Sequence, residues 1–310
     1  MNAKRAILPA VISCLVLMST PFVHGQDTDW DRLISDGDAA VAKKQYPQAE
    51  EAYRQALKFS ESHLNKDART SGVALIKLAE SCNAQGKKED AEAFASRAVA
   101  TMSQAGKAHK PKDASDEYWQ EEVLVATIEK AGDIFAANQN YAAGEKMYLR
   151  AIKIREDYAT EEPPAKPNNE DFFRFLIQDF EHTKAKVADS EDKLARLYVR
   201  ERKFQDALRQ YQKSEAIREK QFGPDRPPVA QSLSDIAMCY ALQGQYDRAE
   251  PLYKRVIAIL EHNNYQDKRE MEVALENYSL VLKKTGRDAE AKDIYERALG
   301  IRTKLAETSQ

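Results

Sequence analysis

The residue types that usually carry chemistry are scattered along this chain of 310 residues. After the N-terminal segment the histidines are His63, His109, His182 and His262, and none has a second ligand at helical spacing, so no metal site is predicted. The sequence lacks His-Glu-x-x-His, Gly-x-Ser-x-Gly and a glycine-rich loop that ends in Gly-Lys-Ser/Thr. Lys+Arg 47 nearly balance Asp+Glu 50, which argues against nucleic acid as a partner. We therefore predict a protein that is not an enzyme, with no catalytic residues, metal or cofactor.

A pattern of small and aromatic residues repeats six times and places three lysines, Lys77, Lys130 and Lys193, in one register. In each repeat a small residue precedes a second small residue by 12 positions, and an aromatic residue usually follows four positions later. The first small residues are Gly37, Ala79, Gly132, Ala195, Ala237 and Ser279, the second are Ala49, Ala91, Gly144, Ala207, Ala249 and Ala291, and the aromatics are Tyr53, Tyr148, Tyr211, Tyr253 and Tyr295, with Ala95 as the exception. Internal repeats of this kind predict stacked units, which usually bind and seldom catalyse.

Each repeat has the pattern of two helices. Leu233, Ile236, Ala237 and Tyr240 are spaced as one stripe of a helix, and Gly244 follows as a helix-terminating glycine. A second stripe with helical spacing follows at Ala249, Tyr253, Val256 and Ile257. A helical hairpin of this size cannot bury its apolar face alone, so the hairpins must stack on one another.

The repeated residues resemble the tetratricopeptide repeat, and most closely the longer repeat of kinesin light chains. The resemblance is carried by Gly223-Pro224-Asp225-Arg226-Pro227-Pro228-Val229-Ala230, Ser232-Leu233, Ile236-Ala237, Tyr240, Gln243-Gly244, Tyr246, Ala249-Glu250 and Leu252-Tyr253. Ala49 and Ala91, Ala207 and Ala249, and Ala249 and Ala291 are each 42 residues apart, which is the length of that repeat. The resemblance implies an all-α, right-handed superhelical solenoid of about six such hairpins, whose first helices line a concave groove.

Two positions of each first helix usually face the groove in this family. The position two before the first small residue holds Ser35, Lys77, Lys130, Lys193, Asp235 and Asn277, and the position one after it holds Asp38, Glu80, Asp133, Arg196, Met238 and Leu280. Our candidate partner-binding residues are Lys77, Lys130, Lys193, Arg196, Asp235, Met238 and Asn277. The lysines could attract an acidic segment of a partner. We favour the alternative that Lys77–Glu80 and Lys130–Asp133, which are i, i+3 pairs, neutralise each other on a solvated face.

The repeats are interrupted twice. We place repeats 1–3 at residues 29–160, with a short insert at 106–120, and repeats 4–6 at 187–310. Between them, residues 161–186 contain a proline-rich linker and an inserted amphipathic helix, whose apolar side chains are Phe172, Phe173, Leu176, Ile177 and Phe180. This helix either packs on the solenoid itself or serves as a docking element or a plug in the groove.

The first 25 residues belong to a different class of sequence. Lys4 and Arg5 precede a short apolar stretch, and small residues lead to Gln26, which predicts a secretory signal peptide and export to the bacterial periplasm or the medium. Cys14 offers a less favoured alternative, lipoprotein processing, which would tether the chain to a membrane. After cleavage Cys82 and Cys239 remain, and we predict that both are buried structural thiols.

These features predict a non-catalytic scaffold or adaptor that binds a protein or peptide in the concave groove. Two alternatives belong to other classes of protein. One is a solenoid that assembles into a homo-oligomer through its exposed ends. The other is a small-ligand-binding or enzymatic protein with a cleft made by the phenylalanine-rich insert.

Overall fold

The structure, a computed structural model, describes residues 28–63, 68–108, 114–160, 170–263 and 268–307. Over these ranges the chain forms twelve α-helices and no β-strand. The helices are α1 (Thr28–Ala42), α2 (Tyr46–His63), α3 (Ala68–Ala84), α4 (Lys88–Ala108), α5 (Ala114–Ala137), α6 (Tyr141–Thr160), α7 (Glu170–Arg200), α8 (Phe204–Phe222), α9 (Pro227–Leu242), α10 (Tyr246–His262), α11 (Lys268–Lys284) and α12 (Asp288–Glu307). None of these helices has the length and apolar character needed to cross a membrane.

The twelve helices form six hairpins that stack in chain order. Each odd-numbered helix packs against the even-numbered helix that follows it, and each hairpin packs against the next. The first helices of hairpins 2 and 3, 3 and 4, and 5 and 6 also touch one another. The prediction of an all-α solenoid of six hairpins is therefore confirmed, whereas the right-handed superhelix stays a prediction.

All six hairpins turn on the same backbone conformation. The residue five positions before the second small residue has a positive φ in every hairpin, which only glycine adopts without cost. Glycine fills this position in three hairpins, at Gly86 (φ 75°), Gly244 (φ 74°) and Gly286 (φ 78°), whereas Lys44 (φ 57°), Gln139 (φ 66°) and Arg202 (φ 60°) fill it in the others. The stack therefore forces three side-chain-bearing residues into the left-handed region.

The glycines at the first small position make room for a tyrosine ring. A Cβ atom on Gly37 would lie 2.3 Å from Cε1 of Tyr53, and one on Gly132 would lie 2.8 Å from Cε1 of Tyr148. In both hairpins the tyrosine hydroxyl donates a 2.6 Å hydrogen bond to the aspartate that follows the glycine. Glycine and aspartate thus act together, because the close approach of the ring to the backbone brings its hydroxyl to the carboxylate.

The predicted inserted helix is continuous with the first helix of the fourth hairpin. Helix α7 runs for 31 residues without a break, from Glu170 to Arg200. The proline-rich residues 161–169 lie outside the described residues, and so do the side chains of Phe172–Phe180, so neither docking on the solenoid nor plugging of the groove is tested. The predicted signal peptide and Cys14 also lie outside the described residues.

The two cysteines of the repeats lie in the core. Cys82 and Cys239 are both free and fully buried. Burial raises the pKa of both thiols to about 11, so they stay protonated and unreactive at neutral pH. The prediction of buried structural thiols is confirmed.

Candidate protein-binding surface

We call the exposed side of the first helices of the hairpins, α1, α3, α5, α7, α9 and α11, the first-helix surface. The predicted lysine column lies on it, and its first member is tied to the preceding hairpin. Lys77 is 8% exposed, and its Nζ lies 2.6 Å from Oδ1 of Asp38 in hairpin 1. The same oxygen accepts the hydroxyl hydrogen bond of Tyr53, and the Lys77 ammonium lies 5.7 Å from the centre of that ring. Lys77 is therefore part of the packing between hairpins 1 and 2.

The other two lysines make the same kind of connection. Nζ of Lys130 lies 2.9 Å from Oε1 of Glu80 in the preceding hairpin. Nζ of Lys193 lies 2.9 Å from Oε2 of Glu129 and 3.8 Å from Oδ2 of Asp133, both in the preceding hairpin. The prediction that Lys77 and Lys130 pair with carboxylates of their own helices is wrong. Each lysine of the column instead joins two successive hairpins, and we call these three connections the charge ladder.

Glu129 is the most buried carboxylate of the charge ladder. It is 8% exposed, accepts a 2.5 Å hydrogen bond from Oγ of Ser190, and lies 3.4 Å from Nε of Arg155. Burial alone would raise the pKa of Glu129, but the charges of Arg155 and Lys193 together with the hydrogen bonds hold it below its ordinary value. The carboxylate is therefore charged at neutral pH and fixes the junction between hairpins 3 and 4.

A second set of ion pairs was missed in the sequence. Arginines of the second helices reach back to a carboxylate of their own hairpin 26 residues earlier, at Glu129–Arg155, Asp192–Arg218 and Glu276–Arg302. Arg218 is 6% exposed and also donates hydrogen bonds of 2.8 and 2.5 Å to the hydroxyl oxygens of Ser214 and Ser232. The constant separation in three hairpins is a signal that the sequence does contain.

After hairpin 4 the cation and the carboxylate exchange positions, and at the last junction both positions are uncharged. At the next junction Arg196 is the exposed cation and Asp235 takes the position that the lysines hold. Burial raises the pKa of Asp235 to about 6, against a hydrogen bond of 3.1 Å from Gln231 and the attraction of Arg196. At the last junction the corresponding residues are uncharged, namely Met238 and Asn277, and both are half-buried.

In the last hairpin the position one after the first small residue holds Leu280, which is 58% exposed. All seven candidate residues lie on first helices, and their contacts divide them into two groups. Lys77, Lys130 and Lys193 are occupied by carboxylates of the protein itself. Arg196, Asp235, Met238 and Asn277 belong to hairpins 4–6, where an exposed cation and a carboxyl group are followed by two uncharged side chains. Within the described ranges, no group of three or more histidine, cysteine or carboxylate side chains is arranged to hold a metal ion.

Comparison with known proteins agrees with this architecture. Family models described as tetratricopeptide repeat match residues 186–262 and 273–304. No curated protein was found to match the chain.

Several solved structures share the fold. BtubC (BKLC) from P. vanneervenii is similar over 90% of this chain and 93% of its own, with 17% identity and a TM-score of 0.58. A putative kinesin light chain of Podosopora anserina with nearly identical TPR-like repeats is similar over 75% of this chain and 95% of its own, with 18% identity and a TM-score of 0.52. Aspartyl phosphate phosphatase F from Bacillus subtilis is similar over 92% of this chain and 67% of its own, with 15% identity and a TM-score of 0.57. At these identities the likeness concerns the fold alone.

The repeated small and aromatic positions, the six stacked hairpins, the family models and the similar solved structures all agree. The chain is a tetratricopeptide-repeat protein.

Proposed function

We propose that this protein is a non-catalytic interaction scaffold that binds a segment of another protein on the first-helix surface of hairpins 4–6, in the concave groove that its family implies. The observation that carries the proposal is the end of the charge ladder. The lysines of hairpins 2–4 form ion pairs with carboxylates of the protein itself, so an acidic ligand would have to displace those carboxylates. The first-helix surface beyond Lys193 is uncharged at its Met238–Asn277 junction and offers the exposed side chain of Leu280.

The side chains there define the ligand by its chemistry. Met238 and Leu280 offer apolar contacts, and the carboxamide of Asn277 can both donate to and accept from an extended peptide backbone. Arg196 adds one exposed cation at the edge of this region, and it attracts the carboxyl group of Asp235. We therefore expect an uncharged, apolar segment rather than a strongly acidic ligand.

Export is a separate part of the proposal. It rests on the basic, apolar and small-residue segments before Gln26, and it places the scaffold in the bacterial periplasm or outside the cell. Expression in a bacterium followed by fractionation and N-terminal sequencing tests it. A mature chain that begins at Gln26 in the periplasmic fraction supports export, and an intact Met1 in the cytoplasm contradicts it.

Peptide selection tests the binding proposal directly, because a random-sequence library contains segments of the expected chemistry. Peptides are selected from the library against the purified protein, and their dissociation constants are measured by isothermal calorimetry. Leu280→Glu places a charge in the proposed site. The control is Leu149→Glu, which places a charge on a second helix outside that site, where Leu149 is 47% exposed. We expect Leu280→Glu to lower the affinity at least tenfold, which corresponds to about 1.4 kcal/mol of binding free energy. Leu149→Glu should change the affinity little.

Three results would contradict the proposal: a selection that yields no binding peptide, an equal loss of affinity in both variants, and no loss in either. Loss of binding in Lys130→Gln but not in Leu280→Glu would return recognition to the lysine column. Turnover of a small molecule by the purified protein would instead support the enzymatic alternative.

A further inference from the structure

The last hairpin exposes a face that every other hairpin buries. The residue four positions after the second small residue is almost inaccessible in the first five hairpins, with 2% exposed at Tyr53, 0% at Ala95, 3% at Tyr148, 0% at Tyr211 and 1% at Tyr253. Its counterpart in the last hairpin, Tyr295, is 43% exposed. Four positions further along, Leu299 is 38% exposed, whereas Leu57 and Ile257 at the same place in their hairpins are buried. We call the surface of Lys292, Tyr295 and Leu299 the end face.

A helix covers the corresponding surface at every internal junction. The first helix of each following hairpin packs on the hairpin before it, and at the last junction Tyr278 of α11 meets Tyr253 with ring centroids 6.5 Å apart. Of the seven exposed large apolar side chains in the described residues, four belong to the last hairpin: Val273 and Leu280 on α11, and Tyr295 and Leu299 on the end face. The end face thus has the residues of a helix-binding surface, but none of the described helices covers it.

The charge beside the end face is reversed. Directly after the second small residue, hairpins 1, 2, 3 and 5 carry a glutamate that bonds to the next hairpin: Glu50 to Lys87 at 2.7 Å, Glu92 to Asn140 at 2.8 Å, Glu145 to Tyr198 at 2.7 Å and Glu250 to Arg287 at 2.7 Å. The last hairpin has Lys292 there, which is 74% exposed and 3.7 Å from Glu296 of its own helix. A helix that docks as the internal ones do would therefore need a carboxylate where they carry a cation or a neutral donor.

A second copy of this chain fits the end face poorly. The residue before the first small position is buried in hairpins 2–6, at Leu78, Ala131, Leu194, Ile236 and Tyr278, but hairpin 1 has the exposed Asp36 there. Stacking in the internal register would bury that carboxylate. It would also bring Lys43, the counterpart of the Gln85 that contacts Glu50, against Lys292. At these two positions the first hairpin is thus charged, whereas the end face exposes Tyr295 and Leu299.

From the exposed apolar side chains, the reversed charge and the polar first hairpin, we propose that the end face is a docking site for an amphipathic helix of a different protein. That helix would lay its apolar stripe on Tyr295 and Leu299 and place an aspartate or glutamate against Lys292. The site lies on the second helix of the last hairpin and is distinct from the peptide-binding region proposed above. Each can fail without the other.

A peptide taken from this chain provides a defined probe. Residues 268–289 contain α11 and the turn that carries Arg287, and this segment covers the internal equivalent of the end face. The probe is this peptide with Arg287→Glu, labelled with a fluorophore, and the matched control is the peptide with its natural arginine. Binding to the whole protein is followed by fluorescence anisotropy. We expect the glutamate peptide to bind about fivefold more tightly, the discrimination typical of an exposed ion pair.

Two variants of the protein complete the test. Lys292→Glu should reverse the preference, so that the arginine peptide binds more tightly, and Tyr295→Asp should abolish binding of both. Because these side chains are exposed, circular dichroism should show unchanged folding. The proposal is overturned if neither peptide binds at millimolar concentration, or if Tyr295→Asp leaves binding unchanged. It is also overturned if sedimentation shows self-association of the wild-type protein that Tyr295→Asp removes, because the occupant is then a second copy.

Discussion

Removal of the three lysines of the charge ladder should cost unequal amounts of stability. The largest loss is expected for Lys193→Met, because the side chain of its partner Glu129 is 10% exposed and that of Lys193 is 28% exposed. Loss of one member of a fully buried pair costs about 3–5 kcal/mol. Arg155 and Ser190 still serve the Glu129 carboxylate in the variant, and Lys193 is partly solvated, so we expect a loss of about 2 kcal/mol.

The other two lysines set the scale for this loss. The Lys130–Glu80 side chains are 31% and 43% exposed, so Lys130→Met should lower the free energy of unfolding by only about 0.5 kcal/mol. Lys77 is buried but its partner Asp38 is 48% exposed, and methionine retains the apolar part of the lysine side chain. We expect an intermediate loss of about 1 kcal/mol for Lys77→Met.

Urea unfolding followed by circular dichroism gives the three free energies, and Lys146→Met, an exposed lysine on a second helix, is the control. The loss in Lys193→Met should also depend on pH. The pKa of Glu129 is lowered by folding, so its contribution is present above its unfolded pKa of about 4.5 and disappears as pH falls through the lower folded value. The difference between wild type and Lys193→Met should therefore shrink below pH 4.5. Three equal losses, or a difference that does not change with pH, would refute the assignment of the charge ladder as a structural element.

Three further predictions concern the fold and the site. Gly37→Ala should lower the free energy of unfolding by about 1–2 kcal/mol, since the new methyl group meets the Tyr53 ring, and the same change in a Tyr53→Ala background should be neutral or stabilising; urea unfolding of both decides. Gln139→Gly should raise the free energy of unfolding by about 1 kcal/mol and Gly244→Ala should lower it by about 1 kcal/mol, because both positions have positive φ; calorimetry that shows the same sign for both contradicts this. Folding raises the pKa of Asp235 from 3.8 to about 6, so wild-type stability falls as pH rises between those values; Asp235→Asn should match wild type near pH 4 and exceed it by about 1 kcal/mol at pH 7, and equal stability at both pH values would count against the shift.

The fold could be predicted from the sequence alone because the repeated pattern involves residues that are close together in the chain. Small residues such as Ala49 and Ala249 recur at fixed spacing with their tyrosines, and each hairpin contacts mainly its neighbours, so short-range patterns specify the whole stack. The buried thiols followed from the same register. The turn residues Gln139 and Arg202 gave no comparable signal, since glycine-like backbone geometry is imposed there by the hairpin rather than by the residue type.

The candidate site was only half predictable. Sequence register gives Lys77, Lys130 and Lys193 equivalent positions in their repeats, but each lysine has a carboxylate within one helical turn and another in the neighbouring hairpin. In the structure the lysines pair with Asp38, Glu80 and Glu129, which lie 39, 50 and 64 residues away. Predicting these partners rather than those in the same helix requires the distances between hairpins, which no local sequence pattern contains.

What the sequence determined by itself is therefore the number of hairpins, their order and the line of side chains on the first helices. Tertiary structure alone decided which of those side chains remain accessible. The first three junctions bring lysine and carboxylate together and neutralise both, whereas the corresponding residues of the last junction, Met238 and Asn277, are uncharged. The same reason explains the end face, since Tyr295 has the residue type of its buried counterparts and is exposed only because no described hairpin packs beyond it.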